Sequence, residues 1–275
     1  MDVTSVRERW QEFSSRLGLP RVRDFYEWDR DCLQPLPDEL RREYEAYALA
    51  LSGEAGDEHV GGPDFVRQRA RELAGHADLE RRFYQFLLSS PALQRAAIAG
   101  RLNLYESLVP EMVARLSQHT TWRLVLDVGS FAGLVSCFLA WLFPESLVVG
   151  LEREPSWALE ARRLAARLRL RNVRFVAGQW ENFPGHERFT TLVWLLVSSA
   201  DSRRGRRMAR FLHSHLAGGG AAAVIERWEE DRALELFLRA VDELGMRVVD
   251  RWIAWWRTAA ELDLTQRTIG LLLAR

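Results

Sequence analysis

The sequence contains no lysine; all 38 basic residues are arginine. That absence excludes Schiff-base lysine chemistry and the lysine-bearing phosphate loop. Arginine covers most surface-cation roles, so its abundance reads as a compositional preference. Cysteine is nearly absent. Cys32 and Cys137 are too few for a disulfide framework, no Cys/His group has metal-ligand spacing, and both read as small core-filling residues. No apolar run approaches the ~20 residues of a membrane helix, so a membrane role is not expected. Nor is there an excess of either charge, since 38 acidic residues balance the 38 basic ones. No overall field then draws the chain to nucleic acid or to an anionic membrane. The opening Met1-Asp2-Val3-Thr4 lacks the basic segment and apolar stretch of a secretory signal, and a cytoplasmic location is expected.

What is present divides by periodicity. Up to about residue 118 the apolar residues fall at helical spacing: Val6, Trp10, Phe13 and Leu17; then Leu40, Tyr44, Tyr47 and Leu51; then Leu79, Phe83, Phe86 and Leu87. Ser90-Pro91 and Val109-Pro110 each place proline where a helix can begin, which predicts two further helices. The Gly/Pro/Asp stretch 53–63 reads as a flexible loop. From residue 119 the pattern changes to strands alternating with helices, the signature of a mostly parallel α/β sheet. Strands are predicted at 123–128, 147–152, 173–177, 191–197, 221–226, 247–255 and 268–273. The last two are joined too briefly for a crossover helix, so they should pair antiparallel. Two regions are therefore expected: 1–118, a helical lid or substrate-binding region, and 119–275, an open α/β sheet domain.

In an open parallel sheet a ligand sits beyond the carboxyl ends of the strands, near the first strand-to-helix turn. Here that turn is Asp127-Val128-Gly129-Ser130-Phe131-Ala132-Gly133. Glu152 closes the next strand, where a carboxylate can accept from both hydroxyls of a ribose. A dinucleotide fingerprint needs glycine where Phe131 and Leu134 stand, so a diphosphate would lack its cradle. Asp127 would repel a diphosphate but attract a cation. The pattern points to a cationic, phosphate-free adenosine cofactor.

The segment Leu124-Val125-Leu126-Asp127-Val128-Gly129-Ser130-Phe131-Ala132-Gly133 resembles the first motif of the class I S-adenosylmethionine-dependent methyltransferase family. The resemblance covers roughly the last 155 residues and takes in Glu152 and the segment from Val173 to Trp180. It implies a Rossmann-like sheet of seven strands with the last one reversed, and S-adenosyl-L-methionine as cofactor. It further implies that Gly129 and Gly133 line the methionine side, Glu152 holds the ribose, and Gln179 and Trp180 meet the adenine. Asp127, Ser130, Phe131 and Val197 complete the cofactor contacts. Phe131 departs from the family's common middle glycine, and Gln179 stands where an acid is common, although an amide oxygen can still accept from an amino group.

For the chemistry, the chain after the fourth strand reads Val197-Ser198-Ser199-Ala200-Asp201. Asp201 is positioned as a general base or substrate anchor, and equally as a cap for the helix that follows. His213 and His215 fall at a helix end, which suits imidazole electrostatically; His186 lies in a loop. Glu226-Arg227-Trp228 ends the fifth strand, where it could border a substrate. Arg203, Arg204, Arg206, Arg207 and Arg210 form one charged helical face opposite Met208, Phe211, Leu212 and Leu216, as a solvated surface helix would. Trp252 and Trp256 share one strand face and Trp255 the other. The expected activity is methyl transfer to an O or N atom of a small molecule, with nucleic acid not the expected partner. The alternatives are an RNA or protein methyltransferase, or a non-catalytic protein of the same fold.

Overall fold

The computed structural model describes residues 1–18, 37–52, 64–184, 187–195, 202–226, 228, 231–257 and 265–275. In chain order the elements are α1 (Val3–Ser15), α2 (Asp38–Ser52), α3 (Asp64–Ala74), α4 (Leu79–Leu87), α5 (Pro91–Leu116), β1 (Leu124–Val128), α6 (Leu134–Leu142) and β2 (Leu147–Glu152). They continue as α7 (Pro155–Arg167), β3 (Val173–Ala177), a 3-10 turn (Trp180–Asn182), β4 (Phe189–Leu195), α8 (Ser202–His215), β5 (Leu216–Glu226), α9 (Asp231–Glu243), β6 (Arg247–Arg257) and β7 (Thr265–Ala274). Cys32, His186, Val197, Asp201, Arg227 and the stretch 53–63 lie outside the described residues, as do the side chains of Leu51, Arg203, Trp255 and Trp256.

Two compact units result: Met1–Gly18 with Leu104–Arg275, and Leu19–Asn103. The boundary expected between residues 118 and 119 lies inside the first unit. In the smaller unit, Ala46, Tyr47 and Ala50 of α2 pack with Val66, Ala70 and Leu73 of α3, with Phe83 and Phe86 of α4 against them.

The larger unit is built on a seven-stranded sheet in the order β3-β2-β1-β4-β5-β7-β6. β1 through β5 pair in parallel, while β7 runs antiparallel to both β5 and β6, so only β7 is reversed. The hydrophobic spelling of β1 and β2 follows from burial on both faces of a parallel sheet. On one face Met208, Phe211 and Leu212 of α8 and Phe237 and Val241 of α9 close over Leu126, Val128, Leu192, Trp194 and Val224. Toward the other lies α1, whose stripe Val6, Trp10 and Phe13 is buried, with Leu17 buried just beyond its end. Trp10 and Phe13 meet Phe138 of α6 edge-on, with ring centroids 4.8 and 5.5 Å apart. The first helix of the chain thus belongs to the sheet unit.

Two local expectations are corrected. Pro110 does not begin a helix; it lies inside α5, a single helix of 26 residues. A proline there forfeits one backbone bond and costs ~3 kcal/mol. Around it Leu108, Val109, Met112, Val113 and Leu116 are at most 1% exposed, and each buried side chain contributes ~1.5–3 kcal/mol. Packing therefore outweighs the break. The strand expected at 221–226 starts earlier, at Leu216, and takes in the run Gly218-Gly219-Gly220. There the amide of Gly219 donates to the carbonyl of Arg275 at 2.9 Å, and that of Arg275 to Gly220 at 3.2 Å.

Surface ion pairs contribute little to this frame. Arg174 and Glu187 are paired at 2.5 Å with both side chains more than two-fifths exposed. Arg174→Ala is expected to shift stability by no more than ~1 kcal/mol in urea denaturation, since exposed pairs are worth ~0.2–1 kcal/mol.

Candidate functional site

The site is assembled by hydrogen bonds that fold the β1–α6 turn onto the end of β2. The amides of Gly129 and Ser130 both donate to the carbonyl of Leu151, at 2.8 and 3.0 Å, and Gly133 closes the turn by donating to Ser130 at 2.8 Å. Gly129 (φ 74°), Phe131 (φ 49°) and Gly133 (φ 79°) all lie in the left-handed region. For Gly133 nothing larger fits: a Cβ would come within 2.7 Å of both Ala161 and Phe175. Phe131 bears the strain of a side chain in that region. Its ring lies on Trp157 of α7, centroids 4.0 Å apart.

Phe131's amide has a specific acceptor. It donates to Glu152 Oε2 at 2.8 Å, while the Glu154 amide donates to Oε1 at 2.9 Å. Glu152 is 8% exposed. Burial raises its pKa, and the Glu154 and Phe131 amides oppose that shift. Each carboxylate oxygen retains a further acceptor position.

Asp127 is placed differently. It is 2% exposed and accepts from Ser136 Oγ of α6 at 2.5 Å. Burial pushes its pKa up to about 7, the bonds from Ser136 oppose this, and the Glu152 charge adds to it. Gly150, its register partner in β2, leaves the room that Ser136 uses: a Cβ at Gly150 would stand 2.8 Å from that hydroxyl.

Gln179 precedes the 3-10 turn in extended conformation. Trp180 belongs to the apolar cluster on the α8–α9 face, edge-on to Trp194 and Phe211 at 5.1 and 5.5 Å. Arg204 and Arg207 lie over its ring at 5.9 and 5.6 Å, and Arg207 also pairs with Glu181 at 2.9 Å. His215 is a local structural residue, with Nδ1 2.9 Å from both Ser214 Oγ and the Phe211 carbonyl. Glu226 is buried at the end of β5 and accepts from Trp194 Nε1 at 2.9 Å. Trp228 is partly buried and packs on Phe237. Among the described residues no group of His, Cys, Asp and Glu could hold a metal ion.

No protein-family model matches the sequence, and no curated protein matches it. Solved structures do resemble the chain. An S-adenosylmethionine-dependent methyltransferase from Clostridium acetobutylicum aligns at a TM-score of 0.50 and 11% identity, over 65% of this chain and 98% of its own. A candidate RNA methyltransferase from Pyrococcus horikoshii aligns at 0.50 and 13%, over 62% and 84%. The chain has the class I methyltransferase fold.

Within this methyltransferase fold the turn, Glu152 and Asp127 converge at the carboxyl ends of β1 and β2, as the sequence pattern implied. A fit to an adenosyl cofactor is supported by an orphaned atom: Ser130 Oγ in the turn is buried and without a hydrogen-bond partner. Sequence reasoning missed Ser136, Trp157 and Phe175, which support the turn from α6, α7 and β3. Gly150 was the available signal, since a lone glycine inside an apolar strand marks close approach by a neighbour.

Proposed function

We propose that the chain is an S-adenosylmethionine-dependent methyltransferase acting on an oxygen or nitrogen of a small molecule. The observation that carries this reading is the left-handed turn Gly129 to Gly133, with its unpartnered Ser130 hydroxyl beside the buried Glu152 carboxylate. Bound there, the cofactor supplies an electrophilic sulfonium methyl group for in-line displacement. The chain's part is to bind and align. Glu152, already oriented by two amides, accepts from the ribose hydroxyls; Ser130, Gly129, Phe131 and Gly133 hold the methionine end; Gln179 and Trp180 bound the adenine; and Val197 is assigned to the cofactor contacts. Asp201 is assigned as the base that removes a proton from the acceptor, where one must be removed.

A small-molecule acceptor is favoured by the balance of 38 acidic and 38 basic residues, and by the arginines of α8. Two of these, Arg204 and Arg207, stack on Trp180, which is how arginines of a packed surface helix are used. Calorimetric titration with S-adenosylmethionine and its demethylated product, followed by methyl-transfer screens on amines, phenols, carboxylates and RNA, tests the reading. Failure of both ligands to bind at millimolar concentration refutes it, and transfer to RNA alone refutes the acceptor class. Glu152→Ala is expected to weaken cofactor binding by ~1.5–3 kcal/mol, the worth of charge-assisted bonds. Affinity retained within about twofold would remove Glu152 from the ribose site.

A further inference from the structure

The amide that holds one oxygen of Glu152 sits at a strained point of the chain. Gly129 and Ser130 are pinned to the Leu151 carbonyl and Gly133 closes back onto Ser130, which leaves Phe131 to make the bend at φ 49°. A side chain resists that angle, whereas glycine takes it freely. Phe131 nevertheless keeps it while directing its amide to Glu152 Oε2 at 2.8 Å. The residue has to be held there by its surroundings.

Helix α7 supplies the restraint. Trp157, in its first turn, lies on the Phe131 ring with centroids 4.0 Å apart. Ala161, one turn further along the same helix face, is what a Cβ at Gly133 would strike. The amide of Glu154, immediately before α7, donates to Glu152 Oε1 at 2.9 Å. One helix thus bears on both halves of the turn and on both oxygens of the carboxylate. Trp157 is 0% exposed, so it cannot itself meet a ligand. Its Nε1 is buried without a hydrogen-bond partner, so the position uses the ring and not the polar atom.

We propose that Trp157 is a positioning residue for Glu152: by holding the Phe131 ring it fixes the strained amide that orients the carboxylate. Without the stack the backbone angle relaxes, the amide swings off Oε2, and the carboxylate has to be ordered when the ligand binds, at a cost in affinity. The inference rests on the methyltransferase reading above, in which Glu152 accepts from the ribose. It goes further in making cofactor affinity depend on an aromatic contact that never touches the cofactor.

The test is a double-mutant cycle on the full chain, read by calorimetry with S-adenosylhomocysteine. Trp157→Leu is expected to weaken binding about three- to tenfold, the worth of an aromatic pair, while Trp157→Phe, which keeps a ring, stays within about twofold of wild type. Added to Glu152→Ala, Trp157→Leu is expected to change affinity by less than about twofold, because the carboxylate through which it acts is gone. Circular dichroism checks the folding of each variant. Should Trp157→Leu not fold, Phe131→Gly removes the other ring at an angle glycine accepts, and the same cycle applies. Unchanged affinity without the ring, an equal loss in Trp157→Phe, or a loss undiminished in the Glu152→Ala background overturns the inference and leaves the methyltransferase reading intact. If Glu152→Ala itself binds as the wild type does, the ribose assignment fails and takes the inference with it. If the wild type does not bind the ligand, both fall.

Discussion

Asp127→Asn is expected to stabilise the protein against urea by on the order of 4 kcal/mol at pH 8, with a smaller gain at pH 5. The sign follows from the two states. In the unfolded chain this carboxyl titrates near 3.8, whereas in the folded protein burial holds it at about 7. The folded state therefore binds the extra proton between those values. Its stability is fully present below the unfolded pKa and is lost as pH rises through the folded one. Above pH 7 the folded state must keep an ionised carboxylate beside Glu152 with, among the described residues, only the Ser136 bonds to offset desolvation. Asparagine never ionises, and its carbonyl can still accept from Ser136. Urea denaturation of both proteins at pH 5 and pH 8 should show the difference widening by about 2–3 kcal/mol at the higher pH. A difference that stays constant with pH would mean Asp127 is not strained by burial.

The second large effect is expected at Gly133. Gly133→Ala should cost about 2–5 kcal/mol, the sum of ~1–2 kcal/mol for a side chain in the left-handed region and ~1–3 kcal/mol for overpacking. The clash is with fixed parts of the fold, because the added carbon would stand 2.7 Å from Ala161 of α7 and from Phe175 of β3. Gly245 provides the control. It shares the positive φ, at 72°, but has nothing within 4 Å of the added carbon. Gly245→Ala should therefore cost only ~1–2 kcal/mol. Equal losses for the two variants in thermal and urea unfolding would show that backbone strain alone governs Gly133, and that α7 and β3 can give way.

The architecture was legible because its determinants are local. Apolar runs bounded by turn residues placed β2 and β3 at the observed residues, and the short link between the last two strands implied the reversal seen in β7. The turn from Gly129 to Gly133 and the acid at Glu152 were legible for the same reason, since backbone conformation and strand ends are written in nearby residues.

What tertiary structure decided were the choices between competing energies at a distance. Pro110 reads as a helix start, yet burial of its neighbours outweighs the lost backbone bond and α5 continues through it. The stripe of α1 reads as part of a helical N-terminal region, yet Phe138 lies more than a hundred residues away in sequence and claims it for the sheet unit. Asp127 reads from sequence as a carboxylate open to a cation. Only the folding of Ser136 and Gly150 around it shows a buried acid, because desolvation depends on everything packed nearby and is invisible in a motif. By itself the sequence determined the sheet and the turn that follows its first strand. The packing of residues remote in sequence determined where its helices end and which of its charges remain charged.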